Sequence, residues 1–305
     1  MSLLVVGSVA FDSVSGPHGS VERMLGGSAT YFAIAASYFT EVRIVGVVGD
    51  DFEEQHHGVL LERGVCTQGL ERVAGGKTFF WSGEYSHNMN ERQTLDTQLN
   101  VFAEFQPKLP AHYRQSPYLF LANIDPELQL AVAGQMESPA LVGGDTMNLW
   151  IDVKREHLIR TLGKIHVLII NDSEVRQLTG EYNLVKAGRA IQRMGPETLV
   201  IKRGDNGATM LQGPSVFSIP ALPLEEVFDP TGAGDSFAGG FMGYLASHGV
   251  ANGGLDPQAF RRAVIYGSVM GSFAVEKFGV ERLRTLSREE IDARLREFRD
   301  LIHFE

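Results

Sequence analysis

Asp229-Pro230-Thr231-Gly232-Ala233-Gly234-Asp235-Ser236-Phe237-Ala238-Gly239-Gly240-Phe241 is the stretch on which the reading of this chain turns. Glycines lead into a run of helical character, and a carboxylate, Asp235, stands at its first turn. Backbone N–H groups at a helix start have no intrahelical partner and point beyond the helix end, where they favour an anion. A fixed carboxylate in that place is repelled by the anion unless it has chemical work. The pattern therefore points to phosphoryl transfer. The amides of Gly232, Ala233 and Gly234 meet the developing phosphate charge, and Asp235 takes the proton from an attacking hydroxyl. Asp is also a good helix N-cap, and capping and catalysis would use the same location.

Working outward, a second glycine block lies far upstream. Leu25-Gly26-Gly27-Ser28-Ala29-Thr30 opens an alanine-rich helical run to Phe39, followed by a strand over 42–48 that ends at Gly49-Asp50. Together the two blocks resemble the C-terminal and N-terminal signatures of the ribokinase-like carbohydrate kinases, the PfkB family, and the resemblance spans nearly the whole chain. It departs at Thr30, where the family usually has Asn. The resemblance implies one ribokinase-like α/β domain over 1–305: a doubly wound, mainly parallel sheet with helices on both faces and a small β-sheet lid. It implies transfer of the γ-phosphoryl group of ATP, with magnesium, to a primary hydroxyl of a sugar or nucleoside.

The alternation of short apolar runs with helical stretches agrees with that fold. Strands are expected over 3–6, 43–47, 118–122, 141–144, 166–170 and 198–202, and helices over 28–39, 52–63, 126–135, 172–178, 260–275 and 288–301. Such βα alternation predicts a mainly parallel sheet covered on both faces, with ligands outside the carboxyl ends of the strands. One region breaks the rhythm. Residues 67–105, notably Thr78-Phe79-Phe80-Trp81-Ser82-Gly83-Glu84-Tyr85, alternate with no crossover helix, and predict an antiparallel ribbon attached to the main sheet. In the family the lid falls here, with part of 12–25 as a further contributor. A hairpin that only pairs two copies of the chain is the other reading, and one sheet can do both.

Composition narrows the function classes. The chain has 305 residues, 44% of them hydrophobic, and a formal net charge of −10, a field that repels nucleic acid and anionic membranes. ATP is not excluded, because magnesium and local amides bind phosphates despite that field. Cys66 is the single cysteine, so no intrachain disulfide or cysteine-rich metal site is expected. No apolar run approaches the ~20 residues that cross a bilayer. The opening Met1-Ser2-Leu3-Leu4-Val5-Val6-Gly7 lacks a basic start and reads as a buried strand, so a cytoplasmic protein is expected.

Further positions are carried over from the resemblance onto matching residues. Asn171 and Glu174 match an Asn-x-x-Glu motif that organises magnesium beside ATP, the Glu usually through water, while Asn followed three residues later by Glu also reads as a capping box. Lys202, Gly204 and Gly207 match a nucleotide-binding turn and also read as a hairpin turn. Asp12, Gly26, Gly27, Thr30 and Asn123 are the expected substrate contacts, with Asp145 and Asn148 also following strands. Asp229 and Thr231 match positions that help bind a monovalent cation such as potassium, completed by carbonyls near Ala274, Lys277 and Gly279. The alternative is a Pro-centred turn in which Asp229 bonds its own backbone. Phe11, Phe79, Trp81 and Phe105 would give an apolar wall for a nucleobase, or pack within the ribbon's own core.

Two near-matches fail. Gly76-Lys77-Thr78 lacks the earlier glycine of a P-loop, since position 71 is Glu71, and Gly232-Ala233-Gly234 meets Phe237 where a dinucleotide fingerprint needs glycine. Two other functions fit the same fold: a catalytically silent sugar- or nucleotide-binding regulator, and a kinase for pyridoxal-like alcohols. Retention of Asp235 and its glycines speaks against the first, and the 67–105 insertion against the second. The aromatic ribbon and Asp145-Thr146-Met147-Asn148 lean toward a nucleoside.

Overall fold

The structure, a computed structural model, describes residues 1–251 and 256–303. The strands are β1 (Ser2–Val6), β2 (Ala10–Gly16), β3 (Gly19–Gly26), β4 (Glu41–Val48), β5 (Cys66–Arg72), β6 (Phe79–Tyr85), β7 (Arg92–Gln98), β8 (Tyr118–Leu121), β9 (Leu141–Gly144), β10 (Val167–Asn171), β11 (Thr198–Lys202), β12 (Ala208–Gln212) and β13 (Ser215–Ile219). Every residue of β1 is buried, and β1 pairs in parallel with β4 and β8, with Val5 opposite both Ile44 and Phe120. A strand apolar on both faces belongs in the middle of a sheet covered on both sides. The nine-stranded sheet runs β13-β12-β11-β10-β9-β8-β1-β4-β5; it is parallel from β11 to β5 and antiparallel where β12 meets β11 and β13.

The two-residue period of the strands divides their side chains between two cores. Leu3, Val5 and Phe120 join the cluster containing Phe32, Phe241 and Phe260 from the helices Ser28–Ala36, Ala233–Ser247 and Pro257–Ala274. Leu4, Val6, Leu119 and Leu121 join Val132, Leu158 and Ile191 from Pro126–Ala133, Arg155–Leu162 and Leu184–Gln192. On the first face the Ala233–Ser247 helix is approached closely by its neighbours. A Cβ at Gly239 would overlap the Phe32 carbonyl, and one at Gly240 would lie 2.7 Å from the Tyr266 carbonyl oxygen. The glycines after Asp235 therefore serve packing. They set Ser28–Ala36 and Ala233–Ser247 side by side, so that Tyr31 in the first turn of one lies against Gly232 at the start of the other.

The ribbon expected over 67–105 differs from what forms. Cys66–Arg72 is not part of it: β5 extends the main sheet beyond β4, in parallel. The rest belongs to a separate four-stranded sheet of order β3-β2-β6-β7, in which β2 pairs with β3 antiparallel and with β6 in parallel. Residues 10–26 thus supply half of its strands. The parallel β2–β6 pairing joins segments about sixty residues apart, and no local turn signal in sequence announces such a contact. Other expected elements form with shifted ends: the run expected over 28–39 is helical over Ser28–Ala36, and that over 52–63 is helical over Glu54–Glu62. Among the described residues, no helix is long and apolar enough to cross a membrane.

Candidate active site

The start of Ala233–Ser247 is built as its sequence dictates. Gly232 is the N-cap residue, at φ 74°, and a Cβ there would run into the Tyr31 ring, so only glycine fits. The cap is therefore not Asp235, which stands in the first helical turn with partial access to the cleft. Surrounding protein pushes its carboxyl up to about 6, against the opposing pull of Lys202 and Arg92. Lys202 ends β11 and turns toward this helix start, where a Cβ on Gly234 would lie 2.6 Å from its Nζ. An ammonium group, a run of helix-start amides and a carboxylate with raised affinity for a proton thus share one point.

Asp12 comes in from the small sheet. It lies on β2, is buried, and is pushed up to about 7 by burial first and then by the negative charge of Asp229. The glycine pair explains how it fits. A Cβ at Gly26 would overlap the Asp12 carboxylate, and Gly27, at φ 95°, has room for no Cβ because one would lie 2.5 Å from the Ser8 carbonyl oxygen. The glycines therefore make room for a carboxylate and for the chain itself, and the Gly27 N–H favours the ionised form of Asp12.

On the opposite side, Asn171 caps the Asp172–Thr179 helix. Its Oδ1 accepts from the Glu174 N–H at 2.8 Å, and the Asn171 N–H donates to Glu174 Oε2 at 3.1 Å. This is a complete capping box, and Glu174 is buried with its pKa raised mainly by that burial. Asp145, just after β9, is buried with Oδ1 unpartnered, and its pKa stands well above the carboxylate range through burial and the charge of Asp235. The β11–β12 turn holds Gly204 and Gly207, both at positive φ. Gly204 and Gly207, with Lys202, Ala233 and Gly234, line a cleft of about 660 Å³ that Leu222 and Val275 also border.

Asp229 is fully buried and builds the turn it was expected to build as the alternative to a cation site. Its Oδ1 accepts from the Thr231 N–H at 2.9 Å and its Oδ2 from the Gly279 N–H at 3.0 Å. Thr231 Oγ1 shares a hydrogen bond of 3.1 Å with the Tyr85 hydroxyl from β6. Other expected contacts are occupied elsewhere. Asn123 Oδ1 accepts from the Trp150 indole N–H at 2.9 Å, so its amide orients the helix Asn148–Val153. Thr30 is fully buried, with its hydroxyl unpartnered. Of the aromatic wall, Phe11 packs 4.8 Å from the His56 ring, Phe79 stacks on Phe102 at 5.2 Å and Phe105 is buried in the core. These three are packing residues; Phe11 also carries the Arg23 guanidinium 4.6 Å from its ring centre, and Trp81 carries that of Arg92 at 5.0 Å. Sequence reasoning missed Tyr85, which alternation on a strand does not distinguish from any solvated position.

The pfkB family carbohydrate kinase model matches residues 2–285. This chain belongs to that family. A pfkB-family kinase transfers a phosphoryl group to a hydroxyl of a sugar or nucleoside, and the fold found here, a large mostly parallel sheet with a small separate one, is the family's. A cytidine kinase of Thermococcus kodakarensis is 28% identical over 250 residues, covering 79% of this chain and 87% of that one. A nucleoside kinase of Methanothermobacter thermautotrophicus is 28% identical over 299 residues, covering 92% and 91%. Among solved structures, the aminoimidazole riboside kinase of Salmonella enterica superposes with a TM-score of 0.77 at 21% identity, covering 97% of this chain and 100% of that one. The fructokinase of Vibrio cholerae superposes with a TM-score of 0.80 at 20% identity, covering 96% and 98%.

Proposed function

We propose that this kinase phosphorylates the primary hydroxyl of a nucleoside, with ATP as donor. The observation that carries the reading is the placement of the Asp235 carboxylate at a helix start beside Gly234 and the Lys202 ammonium. Two relatives named as cytidine and nucleoside kinases, matched over most of both chains, support the substrate class. Asp12, seated against Gly26, accepts hydrogen bonds from substrate hydroxyls and fixes the acceptor. Asp235 removes the proton as the hydroxyl oxygen attacks the γ-phosphorus, and the bond to ADP breaks on the far side. The amides at Gly232, Ala233 and Gly234 and the Lys202 ammonium bind the charge of the group in transit. The Gly204–Gly207 turn borders the cleft that takes the nucleotide.

A hydrated divalent cation fits the residues present. Asp145 Oδ1 is buried without a partner, the charges of Asp235 and Glu174 raise the pKa of Asp145, and that of Glu174 raises the pKa of Asp235, a concentration of negative charge that a cation relieves. Among the described residues no three His, Cys, Asp or Glu side chains are grouped to ligate a metal directly, so Glu174 and Asp145 would hold magnesium through water. Bound there, magnesium neutralises phosphate charge. A potassium-type ion beside Asp229 and Thr231 would be held by carbonyl oxygens of the 274–279 segment. The β3-β2-β6-β7 sheet would act as the lid, and pairing of two copies through it would use β7, whose residues are all exposed.

The test is ADP release with magnesium ATP across nucleosides and sugars, comparing wild type with Asp235→Ala. Turnover of a nucleoside that collapses in the variant is the expected result. Turnover confined to sugars would overturn the substrate class, and turnover unaffected by the variant would remove Asp235 as the base.

A further inference from the structure

A second cavity, of about 650 Å³, lies at the end of the Ala233–Ser247 helix opposite Asp235 and shares no lining residue with the catalytic cleft. Its volume falls within the range of small-molecule sites, about 300–1,000 Å³. One wall is an aromatic column. The Phe39 ring meets Tyr266 edge-on at 5.4 Å, Tyr266 stacks on Tyr244 at 4.7 Å, and Tyr244 stacks on His248 at 4.1 Å. Tyr244 is buried within the column, and His248 at its end is exposed. Ile265 and Leu295 add aliphatic surface. The rim is cationic. Arg262 from the Pro257–Ala274 helix and Arg288 and Arg299 from the Arg288–Ile302 helix line the cavity, and no acidic side chain joins them. Asp292 pairs with Arg288 at 3.3 Å and Glu297 with Arg294 at 3.1 Å, which leaves Arg262 and Arg299, among the described residues, without an ion pair.

From this geometry we infer that the cavity is an effector site for a nucleotide, whose base stacks against the aromatic column and whose phosphate is held by Arg262 and Arg299. The two halves of the lining select that chemistry together. A guanidinium offers a planar fork of donors that matches phosphate oxygens, and like charges left uncompensated around one cavity repel until an anion joins them. The chain as a whole carries a formal charge of −10, so cations gathered without acids are the exception on this molecule. Aromatic faces stack on any nucleobase. A bare anion would make no use of the column, and an uncharged apolar ligand none of the arginines. The same helices reach both sites. Ala233–Ser247, 15 residues and about 22 Å long, gives Ala233 and Gly234 to the catalytic cleft and Tyr244 and His248 to this cavity. Pro257–Ala274 gives Ser268 and Gly271 to the cleft and Arg262 and Tyr266 to the cavity. Packed helices shift as units, so a nucleotide that draws Arg262 toward the His248 end bears on the helix start that carries Asp235.

The probe is AMP, titrated by calorimetry into protein whose catalytic cleft is filled with a non-hydrolysable ATP analogue and magnesium, with inorganic phosphate as a second titrant. Wild type is expected to bind an equivalent of AMP that the double variant Arg262→Ala/Arg299→Ala binds on the order of 10²-fold more weakly, as when hydrogen bonds to a charged group are lost. The double variant Arg262→Lys/Arg299→Lys keeps part of the affinity. His248→Ala weakens AMP by on the order of ten-fold and leaves phosphate unchanged, because only the base stacks on the column. Thermal melts establish that each variant is folded. In steady-state assays, AMP changes ADP release by wild type at least two-fold and leaves the alanine double variant unaffected, while that variant without AMP turns over as wild type does. AMP binding that survives in the alanine double variant, or no AMP binding at all, would overturn the site. Phosphate bound as tightly as AMP would overturn the nucleotide as its ligand and leave a simple anion. Binding without a change in turnover would overturn the effector role. Loss of basal turnover in the alanine double variant would make the arginines supports of the catalytic helices.

Discussion

Asp235 is held between opposing influences. Burial favours its protonated form while Lys202 and Arg92 favour the carboxylate, and the balance lies at about 6. A general base acts only when deprotonated, so kcat/KM is expected to fall as pH is lowered through about 6 and to level off above it. A pH–rate profile on the identified acceptor checks this, and Asp235→Ala is expected to lose ~10²–10⁴-fold in kcat. At Gly26 the constraint is steric. In Gly26→Ala the new methyl overlaps the Asp12 carboxylate and displaces it. The KM for the acceptor is expected to rise by more than the KM for ATP, which two-substrate kinetics would show; equal changes would mean that Asp12 does not hold the acceptor. Asp235 and Gly232–Gly234 were legible in the sequence because a helix start is a local structure, whose chemistry depends on residues in one turn. Tyr85 was not, because its meaning depends on Thr231 far along the chain.

Among elements, the Asp172–Thr179 helix separates structural from catalytic roles in one residue. Asn171 and Glu174 complete a capping box, so the structural reading is met in full, and the same carboxylate lies beside Asp145. Glutamine serves at this capping position as glutamate does. Glu174→Gln is therefore expected to leave the melting temperature near wild type while raising the magnesium concentration needed for half-maximal ADP release. An unchanged magnesium requirement would assign Glu174 to capping alone. The strands of the main sheet were legible because apolar runs bounded by helices have few other solutions. The small sheet was legible only in part. Its β6 and β7 alternate over 79–98, but residues 10–16 and 19–26 break the alternation with the adjacent polar pairs Asp12-Ser13 and Glu22-Arg23, and acquire a role only when β2 pairs with β6 and β3 with β2. The aromatic residues read as a nucleobase wall went largely to packing, since Phe11 meets the His56 ring edge-on and Phe79 stacks on Phe102.

For the whole molecule, the buried carboxylate of Asp12 sets a sign for stability against pH. Asp12 moves from 3.8 to about 7 on folding. Between those values the folded protein binds a proton that the unfolded chain has lost, so this contribution is present below about pH 4 and disappears as pH rises through 7. Asp12→Asn removes the titration. Its melting temperature relative to wild type is expected to rise from pH 5 to pH 8 in the absence of ligands, while acceptor binding is lost. Melts at the two pH values check this, and a difference that does not change with pH would show that Asp12 is not protonated in the folded state.

The sequence by itself determined what depends on neighbours along the chain: the anion-binding helix start, the glycines that no side chain can replace, the strand and helix periods, and through them the family. Tertiary structure decided what depends on distance in space. It brought Asp12, Asp145 and Glu174 within electrostatic reach of the 229–235 segment, gave Cys66–Arg72 to the main sheet, and built the small sheet from two remote hairpins. The physical reason is the range of the interactions. Backbone geometry and hydrophobic period act over a few residues and leave a pattern in order. Burial, charge and strand pairing between remote segments act through space, and the residues they join, such as Tyr85 and Thr231, carry no mark of one another in sequence.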